Sequence, residues 1–247
     1  MPIVFLSPST QDWNPYVTGS GSEEYWMNRI VDAMEPYLRS NGIRYRRNDP
    51  DTSAGAAIRE ANSGYYDFYL ALHSNAIGNG SAQTSARGII AFYYPGSAGG
   101  QRGAELIAKN LREIYPLPDK VTTRPTTALG EVSRSRFPAV LVEIGYHDNY
   151  SDALWLESHA EDVARQLVKA LTEYFDLPFI QSMDPKRGTV RLSYGTLNLR
   201  STPSSSGTVI AHLPNGAEVT VYGEWNGWYV VQYGDQVGYA AAAYIDV

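Results

Sequence analysis

The chain opens on a short apolar run, Ile3 to Leu6, and as far as about Ile180 short apolar stretches alternate with longer ones of helical spacing. Glu23 to Arg39 places Trp26, Met27, Ile30, Val31, Met34 and Leu38 close to a helical repeat, and Asn41-Gly42 supplies the stop. Pro36 falls inside this helix and predicts a kink or an early end. Ile43 to Arg47 alternates as a strand does, Ala54 to Asn62 reads as a helix, and Phe68 to Leu72 is an apolar strand that runs into His73. Gly88 to Tyr94 is the next strand, Gln101 to Ile114 a helix carrying Leu106, Ile107, Leu111 and Ile114, Pro138 to Ile144 a strongly apolar strand, and Glu161 to Phe175 a closing helix. Strands that alternate with helices predict an α/β fold, a sheet flanked by helices on both faces.

Beyond Ile180 the pattern changes. Gln181 to Gly188 is polar and contains Pro185, as a linker should. Thr189 to Val247 is dense in valine, tyrosine and glycine, its short apolar runs separated by Thr202-Pro203-Ser204, Pro214-Asn215-Gly216 and Asn226-Gly227. That pattern predicts a small all-β barrel of about sixty residues, near the lower size limit for folding without staples. The expected organisation is therefore a first domain over 1–180, a linker over 181–188 and a second domain over 189–247.

Composition narrows the chemistry. A formal net charge of -6 lacks the basic stripe that phosphates require, so nucleic acid is excluded as a partner, while sugar and peptide polymers are not. No window approaches the roughly eighteen apolar residues of a membrane span. With no cysteine, disulfides and thiolate zinc sites are unavailable, and any metal must be held by histidine and carboxylate. Only four histidines exist: His73, His147, His159 and His212. The N-terminal residues show no basic region, long apolar core and cleavage site in series, so no secretory leader is read there. The expectation is a chain that leaves the cell by another route or one shortened at its front.

The stretch Tyr69-Leu70-Ala71-Leu72-His73-Ser74-Asn75-Ala76 ends an apolar strand on a histidine, and Pro138-Ala139-Val140-Leu141-Val142-Glu143-Ile144-Gly145-Tyr146 carries a glutamate near the end of another. Strand tips hold side chains still at the edge of solvent, which suits catalytic groups and metal ligands. Taken alone, His73 reads as a structural strand end and Glu143 as a solvated carboxylate. Taken together with Ile3 to Gln11, Ser22-Glu23-Glu24, Arg59-Glu60-Ala61-Asn62 and Asp148-Asn149, in that order along residues 1 to 180, they resemble the zinc-dependent N-acetylmuramoyl-L-alanine amidases, often called amidase type 3. The resemblance implies a Zn2+ ion held by Glu23 and His73, Glu143 as general base and acid, and Arg59, Asn75 and Asn149 as substrate-binding residues. Glu23 fits the family's helix register better than Glu24, which stays open beside it. Amide hydrolysis at zinc needs such a set: a few ligands, an open position for water, and a carboxylate that moves the water's proton to the leaving amine.

One departure stands out. The family ends its first strand on a histidine ligand, and here the stretch is Ser7-Pro8-Ser9-Thr10-Gln11. Three alternatives follow: His147 completes the metal shell, which is slightly preferred; Gln11 or Thr10 supplies an oxygen; or metal binding is weakened or lost. His159, expected at the start of the last helix, and His212 receive no role. Arg134 and Arg136 either face an acidic stem peptide or solvate a loop.

The tail, through Leu197-Asn198-Leu199-Arg200, Leu213-Pro214-Asn215-Gly216, Gly227-Trp228-Tyr229-Val230-Val231 and Gly238-Tyr239, resembles a bacterial SH3 domain, which implies attachment to wall peptide or glycan. The expected function is a peptidoglycan hydrolase that cuts the amide between N-acetylmuramic acid and L-alanine of the stem peptide. The rival is a degenerate, non-catalytic wall-binding protein.

Overall fold

The computed structural model describes residues 1–77 and 83–247. In the first part of the chain the elements run β1 (Ile3–Pro8), α1 (Glu23–Ser40), β2 (Arg44–Arg47), α2 (Ala54–Ser63), β3 (Phe68–Asn75), β4 (Ile89–Tyr93), α3 (Ala98–Arg112), β5 (Val121–Pro125), α4 (Gly130–Ser133), β6 (Ala139–Tyr146) and α5 (Tyr150–Tyr174). The strands form one sheet in the order β2-β1-β3-β6-β4-β5. β1, β3 and β6 are mutually parallel, and β4 runs antiparallel to β6.

The central strands are covered on both faces, which is why they read as unbroken apolar runs. On one face Phe5, Tyr69, Ala71, Ala139 and Leu141 pack with Ala57 and Ala61 of α2 and Val132 of α4. On the other, α3 lies so close that a Cβ on Gly103 would fall 2.6 Å from the Phe68 ring and 3.3 Å from Val140. Only glycine permits that approach. Helices on both faces of a mixed sheet are the architecture the sequence pattern predicts.

Several boundaries differ from the sequence reading. β3 continues through His73 to Asn75, because parallel pairing with β6 extends that far. α3 begins at Ala98, where Ser97 caps it by accepting a hydrogen bond from the Gly100 amide. α5 starts at Tyr150, and His159 is its kink, with φ -123° and ψ 18°, so the helical period breaks there and the half before it is hidden. β5 is an edge strand in which only Val121 is buried, leaving no alternation to read.

A separate compact unit gathers Met1–Pro2, Glu35–Arg44 and Phe175–Val247. Its strands are β7 (Lys186–Val190), β8 (Thr196–Arg200), β9 (Val209–Pro214), β10 (Glu218–Trp225), β11 (Trp228–Tyr233), β12 (Gln236–Ala241) and β13 (Ile245–Asp246), in the sheet order β13-β7-β10-β11-β12-β8-β9. Val190, Leu197, Leu199, Leu213, Val219, Val221 and Val231 form its core. Asn226 and Gly227 turn β10 into β11 with φ of 45° and 80°, the left-handed pair that tight hairpins require. β7 begins at Lys186, within the stretch expected to be linker.

Inside this unit Asn41 is fully buried. Its Oδ1 accepts from the Ile180 amide at 2.6 Å, and its Nδ2 donates to the Ile180 and Tyr37 carbonyls at 2.8 and 2.7 Å. Asn41→Ala strands the buried backbone groups of Ile180 and is expected to cost about 1–3 kcal/mol. A urea titration of the full chain checks it, and a loss under about 0.5 kcal/mol would show that water replaces the amide.

Candidate active site

Ser7, His73 and Glu143 stand near the carboxyl ends of three adjacent parallel strands, where open α/β sheets place their ligands. The period of two puts His73 on the face of Tyr69 and Ala71, and Glu143 on that of Ala139 and Leu141, the thinner side covered by α2 and α4. The register aligns His73 directly with Glu143. Glu23 enters as the first residue of α1, where the helix dipole favours a carboxylate.

These side chains meet around one imidazole. His73 Nδ1 lies 2.9 Å from Glu23 Oε1, and His73 Nε2 lies 2.8 Å from Glu131 Oε2. Gln11 Nε2 is 3.3 Å from Glu23 Oε1 and 3.5 Å from His73 Nδ1, while Asn14 Nδ2 donates to Glu23 Oε2 at 2.8 Å and to Gln11 Oε1 at 3.2 Å. Glu131 Oε1 accepts from Ser7 Oγ at 2.6 Å and from the Tyr69 hydroxyl at 2.8 Å. Glu143 Oε2 is buried and has no hydrogen-bond partner. Gln11, Gly55, His73, Glu131, Arg134 and Glu143 line a cavity of about 200 Å³.

The electrostatics follow from burial and pairing. Burial alone would lower the His73 pKa, but the two carboxylates hold it well above 6.5. Burial would likewise raise Glu23 and Glu131, yet their hydrogen bonds to His73 and its charge bring both below 4.5. Glu143 has no such hydrogen bond. Burial pushes it up to about 7, against the His73 charge and with help from Glu23 and Glu131. A carboxyl poised near neutrality beside anchored charges is suited to moving protons.

The remaining residues of the expected site are placed as follows. Glu24 turns away and accepts from Asn28 Nδ2 at 2.8 Å. His147 is not brought into the cluster: its Nδ1 lies 2.9 Å from the Ser74 carbonyl oxygen, and its ring stacks on Tyr16 at 5.6 Å. Ser74 follows His73 and so points to the opposite face of the sheet. Gln11 is the first-loop residue that reaches Glu23 and His73. Arg59 is exposed on α2, its guanidinium near Gly55 at the cavity wall. Asn75 Oδ1 accepts from the Ala76 amide at 2.8 Å. Asn149 caps α5, accepting from the Ser151 and Asp152 amides at 3.1 Å. Among the described residues no three His, Cys, Asp or Glu side chains are grouped so as to hold a metal ion. The convergent donors are one imidazole, one carboxylate and one amide. Glu131 escapes sequence reasoning because it comes from a four-residue helix in a polar loop. Its one local signal is the apolar pair Leu129 and Val132 around it.

A mixed α/β sheet with buried histidine and glutamates at the carboxyl ends of its parallel strands, followed by a separate antiparallel β unit, defines a two-part protein of the amidase-fold class. The family model described as N-acetylmuramoyl-L-alanine amidase matches residues 10–173, and the bacterial SH3 domain model matches residues 195–246. The chain belongs to the N-acetylmuramoyl-L-alanine amidase family. It is 28% identical over 170 residues to N-acetylmuramoyl-L-alanine amidase LytC of Bacillus subtilis (strain 168), a match that covers 67% of this chain and 34% of LytC. The chain thus spans about a third of that relative's length. Its fold is similar to N-acetylmuramoyl-L-alanine amidase AmiC2 of Nostoc punctiforme, with a TM-score of 0.62 and 16% identity over 71% of this chain and 97% of that one. It is also similar to the catalytic domain of CwlV from Bacillus (Paenibacillus) polymyxa var. colistinus, with a TM-score of 0.61 and 18% identity over 71% and 99%.

Proposed function

We propose that this chain is a metal-dependent peptidoglycan amidase that hydrolyses the amide between the lactyl group of N-acetylmuramic acid and L-alanine of the stem peptide, acting outside the cell at the wall. The division of labour follows the two matched models, with catalysis in residues 1–180 and wall attachment in 189–247. The observation that carries the reading is the buried, unpartnered Oε2 of Glu143 beside the convergent trio of Gln11, Glu23 and His73.

That trio suits zinc. Gln11 Nε2, Glu23 Oε1 and His73 Nδ1 form a triangle with edges of 2.9, 3.3 and 3.5 Å. Two ligands of a tetrahedral zinc with bonds near 2.0–2.1 Å stand about 3.3 Å apart. Turning the Gln11 amide over presents its oxygen to the centre; this gives up the Asn14–Gln11 and Gln11–Glu23 hydrogen bonds and keeps Asn14 on Glu23. Glu23, His73 and Gln11 would hold the ion, which when bound supplies Lewis-acid activation of water and of the scissile carbonyl.

The chain's own groups do the rest. Glu143 Oε2 takes a proton from the attacking water and returns it to the L-alanine nitrogen as the C–N bond breaks. The attacking water would enter the small cavity whose apolar wall is made by Ile58, Leu129 and Leu141. Arg59 at the rim and the Asn75 amide bind the substrate's polar groups.

Incubating the full chain with purified peptidoglycan tests the reading. The expected product is stem peptide with a free L-alanine amino terminus, lost on chelation and regained with zinc. Wall retention without that product would favour the binding-only reading, to which the absent first-loop histidine lends weight.

Wall attachment has its own candidate surface, a groove of about 450 Å³ lined by Arg191, Tyr194, Asn198, Arg200, Trp228 and Tyr244. Tyr194 is 90% exposed, so it can be changed without disturbing the core. Tyr194→Ala together with Arg191→Ala is expected to reduce sedimentation with purified walls by roughly tenfold at unchanged melting temperature. Undiminished sedimentation would move the attachment surface elsewhere.

A further inference from the structure

Glu131 has no part in the chemistry above, yet it is among the most completely used carboxylates of the molecule. It is buried, and both oxygens are engaged by donors from two neighbouring strands: Ser7 of β1 on Oε1, and Tyr69 and His73 of β3 on Oε1 and Oε2. Ser7 and Tyr69 fix Oε1, so Oε2 presents a set direction to the imidazole. An ionised carboxylate can only accept. Nε2 therefore donates to Glu131, while Nδ1 is the nitrogen on the side of Glu23 and Gln11, the one a metal held by those two residues would meet.

We propose that Glu131 is a positioning residue that fixes the ring orientation and the Nε2–H tautomer of His73, so that Nδ1 is presented to the metal. The inference rests on the reading of Gln11, Glu23 and His73 as the metal-holding set. It accounts for a buried carboxylate with no contact to Glu23 or Gln11, and it strengthens a shell in which a histidine is replaced by an amide. A carboxylate behind a ligand histidine also makes the ring a better donor, and loss of such a partner typically weakens metal binding 10–100-fold.

Glu131→Gln separates positioning from packing. Glutamine keeps the size of the side chain, and its Oε1 keeps the Ser7 and Tyr69 hydrogen bonds. Its NH2 then points at His73 Nε2 and turns that atom into an acceptor, which moves the ring proton to Nδ1. The expected result is zinc affinity lowered by roughly 10–100-fold in calorimetry. Nitrogen chemical shifts of the metal-free ring should report a proton on Nε2 in the wild type and a bare Nε2 in the variant. Glu131→Asp keeps the charge while shortening the reach, so positioning predicts tighter zinc binding in Asp than in Gln, and packing predicts the reverse. Wild-type zinc affinity in Gln, or an unchanged tautomer, overturns the proposal. If the wild type itself binds no zinc, the metal-holding reading fails, and the tautomer comparison still decides whether Glu131 orients the ring.

Discussion

Glu143→Gln is expected to lower kcat/KM on purified peptidoglycan by roughly 10²–10⁴-fold at unchanged melting temperature and with no loss of whatever zinc the wild type holds. The size follows from what glutamine lacks: it fills the same volume and cannot take the water's proton. The retained fold follows from the site. Glu143 Oε2 has no partner to lose, so the substitution breaks no hydrogen bond at that atom. Burial pushes the carboxyl up to about 7, and above that pH the wild type carries a buried charge that the variant does not. The variant is therefore expected to melt no lower than the wild type at pH 8. Release of L-alanine amino termini, metal analysis and a thermal melt on the same preparations check the three parts. Activity within about fivefold of wild type would remove Glu143 from the proton path and with it the hydrolytic reading.

The residues that sequence reasoning finds and those it misses differ in one physical respect. β3 and β6 are legible because buried parallel strands are apolar throughout, and a histidine or glutamate closing such a run is conspicuous. α1 is legible from its repeat, which also puts Glu23 in the first turn. β5 is not, because an edge strand with a single buried residue leaves no pattern. Glu131 is invisible for a related reason: its partners Ser7, Tyr69 and His73 lie at sequence separations of 124, 62 and 58 residues, and local polarity cannot tell a carboxylate bound for the interior from a solvated one. His147 shows the limit of proximity in sequence. It stands four residues beyond Glu143, but Gly145 at φ +74° turns the chain, and the ring hydrogen-bonds with Ser74 behind the sheet.

Asp152→Ala is expected to lower the stability of the full chain by about 3–5 kcal/mol, the usual cost of breaking a buried ion pair from one side. Asp152 lies in α5, fully buried, and four donors converge on it: Arg87 Nε at 2.7 Å, the Tyr115 hydroxyl at 2.7 Å, and the amides of Gly88 and Tyr146 at 3.1 Å. Alanine leaves all four without that acceptor, including a guanidinium that is itself partly buried. Two of the orphaned groups are backbone amides at strand ends, Gly88 before β4 and Tyr146 at the end of β6, three residues past Glu143. The loss is therefore expected to reach the site: kcat/KM falls as well, because the tip of β6 loses one of its tethers. Asp152→Asn keeps the shape and one acceptor oxygen while turning an NH2 toward donors, so its cost should lie between wild type and alanine. Urea unfolding of the three proteins orders them, and an alanine variant within about 1 kcal/mol of wild type would mean that water satisfies the four donors and that Asp152 does not anchor the strand.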